Sequence, residues 1–244
     1  MQPRIISLKH SSGLTLNLMD IGATWLSCRV PMQAEQSREV ILGCPSANDY
    51  ANQPAYIGAM IGRVANRIAN SQYTHHGITT RLATAAPPHQ LHGGPVGFDK
   101  RRWTIENQTP STVRLQLISA DGDQGFPGQL TVTLDVALSA ARQITLTILA
   151  TSTRETPVSI SQHAYFNLDI DHQDVRQHQL QINATHYLPV DADLIPLGKL
   201  LSFNNNAHSA FDFRTPKKKR DRLDVRAPTT DCARLRSRLF ASAT

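Results

Sequence analysis

Apolar and polar residues alternate along several short segments, and this pattern limits the fold of the chain more than any other sequence feature. The two clearest segments are Leu130–Leu138 (LTVTLDVAL) and Ile144–Ile148 (ITLTI). A period of two turns one face of a strand toward a core and the other toward solvent, as in antiparallel sheets. Similar short runs are Leu14–Met19, Val113–Ile118 and Gln179–Ile182. Because no long segment has a helical period, the sequence predicts an all-β fold, a large antiparallel β-sandwich.

The positive charge of the chain is concentrated at its C-terminal end. The net charge is +6, but Arg214–Thr244 holds ten Lys/Arg and three Asp/Glu, whereas residues 1–213 hold fifteen and sixteen. A nucleic-acid-binding protein is expected to carry its basic patch on a folded surface, so we expect no nucleic-acid partner. Residues 217–244 are charged and aperiodic, which predicts a disordered basic tail after a domain of residues 1–216.

The cysteines and the N-terminal sequence indicate a cellular compartment. Cys28, Cys44 and Cys232 are sparse, odd in number and without metal-like spacing, which is typical of a reducing compartment. The first ten residues, MQPRIISLKH, lack the pattern of a signal peptide, and no apolar run reaches membrane-spanning length. We therefore expect a cytoplasmic protein with no membrane partner.

Two polar clusters contain candidate functional residues. In Gly62–Ile68 (GRVANRI), two arginines and Asn66 lie among apolar neighbours. Their donors and acceptors suit a polyhydroxylated ligand, but composition alone favours the simpler interpretation, a structural buried arginine paired with a carboxylate. In Leu91–Lys100, His92 precedes paired glycines, which let the backbone approach a ligand or form a sharp turn.

A third cluster and two further segments also contain candidate residues. His163 lies in a strand-like, aromatic segment, where an imidazole could exchange protons near neutral pH or be a satisfied core residue. Asp191 and Asp193 are expected to cap a turn. The pair His75-His76 precedes Gly77 in an expected hairpin turn. Because the chain has no HxH, HExxH or CxxC arrangement, we expect no metal site.

Taken in order, six segments of the chain resemble the aldose 1-epimerases, also called galactose mutarotases, from about Gly13 to Arg214. This resemblance implies a β-supersandwich that binds a sugar in a cleft and interconverts the α and β anomers of galactose and glucose without a cofactor or metal. The matching segments are Gly62–Ile68 (GRVANRI), Leu91–Trp103 (LHGGPVGFDKRRW), Asp121–Gly128 (DGDQGFPG), His163–Leu168 (HAYFNL), Tyr187–Gly198 (YLPVDADLIPLG) and Phe211–Arg214 (FDFR).

The resemblance also assigns roles to individual residues. It implies that His163 is the general acid and that His92 is the first histidine of the catalytic site. Asn66, Arg67, His92, His163 and Tyr165 are the implied substrate-binding residues. Two alternatives remain open: a non-catalytic carbohydrate-binding sandwich, and an epimerase for a phosphorylated hexose. The sequence leaves the oligomeric state undetermined.

The C-terminal sequence departs from the family pattern. Family members carry a Gly-Tyr-Asp-His-type motif with a sugar-contacting aspartate, and then a glutamate that acts as the base. Neither is present here, and no glutamate follows Glu155. We therefore expect a truncated or frameshifted member, with an incomplete sandwich and impaired catalysis.

A frameshift explains the tail in a way that can be tested. Cys232–Ser242 can be encoded by codons that, read one base downstream, give Ala-His-Gly-Tyr-Asp-His-Ala-Phe-Leu-Leu. We expect the reading frame to change near the codons for Lys217–Arg220. Sequencing the gene from the codon for Phe211 to the stop codon checks this. If no frame contains Gly-Tyr-Asp-His, the frameshift hypothesis is wrong.

Overall fold

The structure is a computed structural model that describes residues 2–33, 36–140, 142–169, 174–204 and 211–218. It divides into two compact units, Met1–Asn167 and Leu168–Thr244. Within the described residues, no helix combines the length and the apolar content that a membrane crossing requires.

The first unit contains a four-stranded antiparallel sheet in the order β1-β2-β3-β4. Its strands are β1 Ile5–Lys9, β2 Thr15–Met19, β3 Thr24–Pro31 and β4 Ser37–Glu39. Strands β1 and β2 pair Ile6 with Leu18 and Leu8 with Leu16, so these four buried side chains share one face. The alternation in the sequence therefore becomes one apolar and one polar face, as period two requires.

Short elements follow the first sheet and carry the polar clusters found in the sequence. One helix, α1, spans Asp49–Asn52. The short strands are β5 Met60–Ile61, β6 Arg67–Ile68, β7 Gln72–His75, β8 Ile78–Arg81 and β9 Gln90–Leu91. Strands β6 and β9 pair, and β7 and β8 form a hairpin.

The second four-stranded antiparallel sheet has the order β10-β11-β12-β13. Its strands are β10 Thr104–Gln108, β11 Thr112–Ser119, β12 Leu130–Ala140 and β13 Gln143–Ser152. Along β12, every second residue from Leu130 to Leu138 is buried. Strands β11, β12 and β13 coincide with segments that the alternating pattern predicts.

One apolar core joins the two sheets of the first unit. Side chains from β1 and β2 and from β11 and β12 belong to the same buried cluster, together with Phe98 and Trp103. The rings of Phe98 and Trp103 meet edge to face, with their centroids 6.1 Å apart. Two sheets that bury their inner faces in one core form a sandwich, which confirms the predicted fold class.

The second unit contains three aromatic rings in a stack. The ring of Tyr187 lies 5.5 Å from that of Phe203 and 4.6 Å from that of Phe211. As expected, Asp191 caps its turn, because its Oδ1 accepts the backbone N–H groups of Asp193 and Ile195. The short strands are β15 Gln179–Leu180, β16 His186–Tyr187, β17 Leu201–Ser202 and β18 Lys217–Lys218.

The predicted basic tail starts where the description of the chain ends. Lys217 and Lys218 form β18, which pairs with β15. Residues 219–244, including the segment of the proposed frameshift, lie outside the described residues. The boundary between 216 and 217 therefore stays a prediction.

Truncating a core leucine should destabilise the sandwich. Leu134, in the middle of β12, is completely buried, so we expect Leu134→Ala to lower the free energy of unfolding by about 2–5 kcal/mol. Leu149→Ala, at a side chain that is 63% exposed on neighbouring β13, should change it by less than about 0.5 kcal/mol. Urea unfolding measures both changes, and equal losses would contradict the assigned core.

Candidate functional site

Two strand ends bring Asn66 and His92 together. Strand β6 pairs with β9 through Arg67 and Leu91. Just beyond this pair, the N–H of His92 donates to the carbonyl of Asn66 at 3.0 Å. In return, the N–H of Asn66 donates to Nδ1 of His92 at 2.9 Å. These reciprocal hydrogen bonds fix the orientation of the imidazole.

The paired glycines after His92 allow a close approach of two backbone segments. Gly93 has a φ of +89°, and a Cβ atom built on it would lie 1.9 Å from the carbonyl oxygen of Gly62. Any side chain here would displace the segment that leads to Asn66. The close approach at Gly93 is therefore to the protein's own backbone.

A second pair of segments positions His163 and Tyr165. Strand β14, Ser161–Gln162, pairs with β5. The carbonyl of His163 accepts the N–H of Gly58 at 3.0 Å, and the N–H of His163 donates to the carbonyl of Ala59 at 2.8 Å. The hydroxyl of Tyr165 donates to the carbonyl of Ala55 at 2.9 Å. These hydrogen bonds hold residues 55–59 against the segment that contains His163 and Tyr165.

Four rings converge from these segments. The centroids of His92 and His163 lie 5.4 Å apart, with nearly perpendicular rings. Tyr165 lies 5.1 Å from His163. Tyr56 contacts both imidazoles, at 4.6 Å from His92 and 6.0 Å from His163. The three predicted rings therefore share one site, and Tyr56 is a fourth member that the sequence search missed.

No motif in the sequence indicates that Tyr56 belongs to this cluster. It lies in the loop before β5 with a positive φ of 55°, so its ring position depends on the pairing of β5 with β14. Burial raises the pKa of its phenol, the charge of Asp99 raises it further, and Arg67 lowers it. Tyr56 is therefore a neutral hydroxyl group at physiological pH.

Arg67 adds a positive charge to this site. Its guanidinium donates to Oδ1 of Asn66 at 3.4 Å. Both side chains are half-buried. The charge of Arg67 lowers the pKa of both His92 and Tyr56, so its electrostatic field reaches both rings. All five predicted site residues therefore lie in or beside the ring cluster.

The other arginine of the GRVANRI segment is structural. Arg63 is only 2% exposed. Its guanidinium donates to the carbonyls of Pro127 and Gly128 and to the hydroxyls of Thr156 and Ser119, at 2.8–3.1 Å. The structural interpretation of a buried arginine is thus correct for Arg63, with carbonyl and hydroxyl oxygens as its hydrogen-bond partners.

The surroundings of His92 keep its imidazole neutral. Burial lowers the pKa of His92 from 6.5 to about 3, and the nearby His163 and Arg67 contribute to the same shift. Because Nδ1 accepts the N–H of Asn66, the proton of the neutral ring is on Nε2. His92 is therefore a hydrogen-bond donor through Nε2.

Comparisons with known proteins agree on one family. The family model for aldose 1-epimerase matches residues 4–237. The chain is 49% identical over 214 residues to the aldose 1-epimerase of Escherichia coli K12, covering 88% of this chain and 61% of that protein. It is 34% identical over 208 residues to the galactose mutarotase of Mus musculus, covering 85% and 59%. The chain thus spans about three-fifths of the length of these relatives.

Solved structures show the same fold. An aldose epimerase homologue from C. elegans superposes with a TM-score of 0.84 and 28% identity, covering 91% of this chain and 67% of that one. The galactose 1-epimerase from Lactobacillus acidophilus gives a TM-score of 0.79 and 27% identity, covering 92% and 65%. These likenesses support the sandwich that the two sheets form.

The neutral state of His92 can be measured. Because its pKa in the folded protein is about 3, against an ordinary value of 6.5, the ring should show no midpoint between pH ~4.5 and ~8. Between these two pKa values the unfolded chain binds more protons, so the stability contributed by neutral His92 is lost as the pH falls from about 6.5 toward about 3.

Nuclear magnetic resonance of the imidazole resonances gives the midpoint, with the urea-unfolded chain as the control that titrates near the ordinary value. Unfolding at several pH values should show a shallower acid loss of stability in His92→Gln. A midpoint near pH ~6.5 for His92 in the folded protein would contradict the assignment.

Proposed function

Because this chain belongs to the aldose 1-epimerase family, we propose that its site binds an aldose and interconverts its α and β anomers. The convergence of His92 and His163, whose ring centroids lie 5.4 Å apart beside two tyrosines, is the observation that supports this proposal most directly. The sugars proposed are galactose and glucose.

Anomer exchange requires a proton to move at two oxygens of the sugar. A base removes the proton of the C1 hydroxyl while an acid protonates the ring oxygen, and the C1–O5 bond breaks. The open aldehyde rotates about C1–C2 and closes on its other face with the two roles reversed. An imidazole suits the acid role, because its ordinary pKa of ~6.5 allows it to donate and recover a proton near neutral pH.

We assign the acid role to His163. The backbone of His163 is held on both sides by Gly58 and Ala59, which limits the positions that its ring can take. His92 is unsuited to donate a full proton, because its pKa is lowered to about 3. Its Nε2–H can instead donate a hydrogen bond to a sugar oxygen and stabilise charge that develops there.

The remaining residues would bind and orient the sugar. Arg67 offers guanidinium donors, and Asn66 offers both a donor and an acceptor to vicinal hydroxyls. Tyr165 is held by its hydrogen bond to Ala55, so its ring face is available as a fixed apolar wall beside His163. Tyr56 is a further proposed contact, because it lies against both imidazoles. Fixed groups of this kind lower the entropic cost of reaching the reactive geometry.

We also propose a second candidate function, a carbohydrate-binding sandwich that does not catalyse the reaction. Asn66, Arg67 and the ring cluster supply donors and acceptors for a sugar, and within Gly13–Arg214 the family resemblance assigns an acid but no base.

We also propose that the protein acts in the cytoplasm. Cys28 and Cys44 are free thiols in the described part of the chain, which fits a reducing compartment.

Polarimetry of freshly dissolved α-galactose tests the function. The chain should accelerate the approach to the equilibrium rotation, and His163→Gln should lower this acceleration by about 10²–10⁴-fold, because the acid is lost. The matched control is His186→Gln, at an exposed histidine of β16 in the second unit, which should leave the rate unchanged.

Calorimetric titration of the same proteins with galactose separates the two candidate functions. Saturable binding without acceleration supports the carbohydrate-binding alternative. If the chain neither binds galactose or glucose nor accelerates mutarotation, both candidates are wrong. An unchanged rate in His163→Gln would remove this residue from the acid role.

A further inference from the structure

A hairpin of the first unit presents two adjacent histidines. In the pairing of β7 with β8, Gln72 lies opposite Arg81 and His75 lies opposite Ile78. The turn between the two strands is His76-Gly77. His76 has a φ of 49° and Gly77 a φ of 75°, a left-handed pair that suits a two-residue hairpin. The expected turn is confirmed, and its short loop holds both imidazoles on the same end of the hairpin.

Glu155 meets both imidazoles from a distant part of the chain. Its Oε2 lies 3.1 Å from Nε2 of His75 and 3.5 Å from Nε2 of His76. The two rings are themselves 4.0 Å apart between centroids. One potential ligand atom from each residue lies within 4.8 Å of the others.

We propose that His75, His76 and Glu155 form a zinc site. Donor atoms on a tetrahedral zinc ion lie about 3.4 Å from one another, because each zinc–ligand bond is about 2.1 Å long. The two separations from the Glu155 oxygen, 3.1 Å and 3.5 Å, are close to this tetrahedral edge. Two imidazole nitrogens and one carboxylate oxygen are also a ligand set that zinc uses in proteins.

The surroundings of the three ligands leave room for a metal and for a fourth ligand. The side chains are exposed at the edge of an open cleft of about 740 Å³, so water can complete the tetrahedron. The positively charged Arg154 also lines the cleft, and its guanidinium lies 3.7 Å from the carboxylate of Asp121. This pairing partly offsets its repulsion of a cation.

A zinc ion here would act as a cross-link in the fold. His75 and Glu155 are 80 residues apart in the sequence, and they belong to the β7–β8 hairpin and to the segment after β13. An ion that binds the folded chain and not the unfolded one raises the stability of the folded state by mass action. The site shares no residue with the proposed sugar site, so each can be tested without the other.

Zinc titration against a chromophoric chelator tests the proposal. The wild-type chain should bind one equivalent of Zn²⁺ at this site, and Co²⁺ should give the intense visible absorption of tetrahedral coordination. We expect His76→Gln and Glu155→Gln each to weaken Zn²⁺ binding by at least ~10-fold. Loss of a direct ligand should weaken the metal affinity at least as much as loss of an outer-shell partner does.

The control is His186→Gln, which removes an exposed histidine elsewhere and should keep the wild-type affinity. In a thermal melt, Zn²⁺ should raise the unfolding midpoint of the wild type and of the control, and should leave that of Glu155→Gln unchanged. Since His76 and Glu155 are exposed, the metal-free melting midpoints of all variants should agree, which shows that each variant folds.

Three results would overturn the zinc site. One is the absence of saturable Zn²⁺ binding to the wild type. Another is an unchanged affinity in both His76→Gln and Glu155→Gln. The third is a thiolate charge-transfer band in the Co²⁺ spectrum, which would place the metal on a cysteine.

Discussion

The buried guanidinium of Arg63 holds the first unit together at the place where its function is proposed. Its donors reach Ser119 at the end of β11, Gly128 before β12 and Thr156 after β13. Burial of a guanidinium is costly unless its donors form hydrogen bonds, and the bonds of Nη1 and Nη2 fix the start of the segment that leads to Asn66. The position of the proposed sugar-binding residues therefore depends on the second sheet.

The fixed position of the Asn66 segment determines the electrostatic environment of His92. The N–H of Asn66 occupies Nδ1 of His92, and burial beside His163 and Arg67 keeps His92 neutral. Two histidines that lie side by side thus acquire different proposed roles, one as a hydrogen-bond donor and one as an acid. The difference comes from their environments, since the two side chains are chemically identical.

The proposed zinc ligands illustrate a different use of the same scaffold. A tight hairpin turn presents His75 and His76, and Glu155, in the segment after β13, lies against both. The sequence contains no metal-binding motif, and for that reason no metal site is expected from it. Such motifs detect only ligands that are close in sequence. Ligands that the sheets bring together from remote segments escape such a search.

The sequence by itself determined the fold class and the family. The alternation along Leu130–Leu138 requires one buried face, and the ordered motifs identified the candidate segments around Asn66, His92 and His163. Only the tertiary structure decided that Arg63 is structural while Arg67 lies beside the ring cluster, that Tyr56 joins these rings, and that Glu155 meets the hairpin histidines. The physical reason is that periodicity and motifs report on local neighbours. Contacts between segments that are distant in sequence depend on strand pairing and on packing in a shared core.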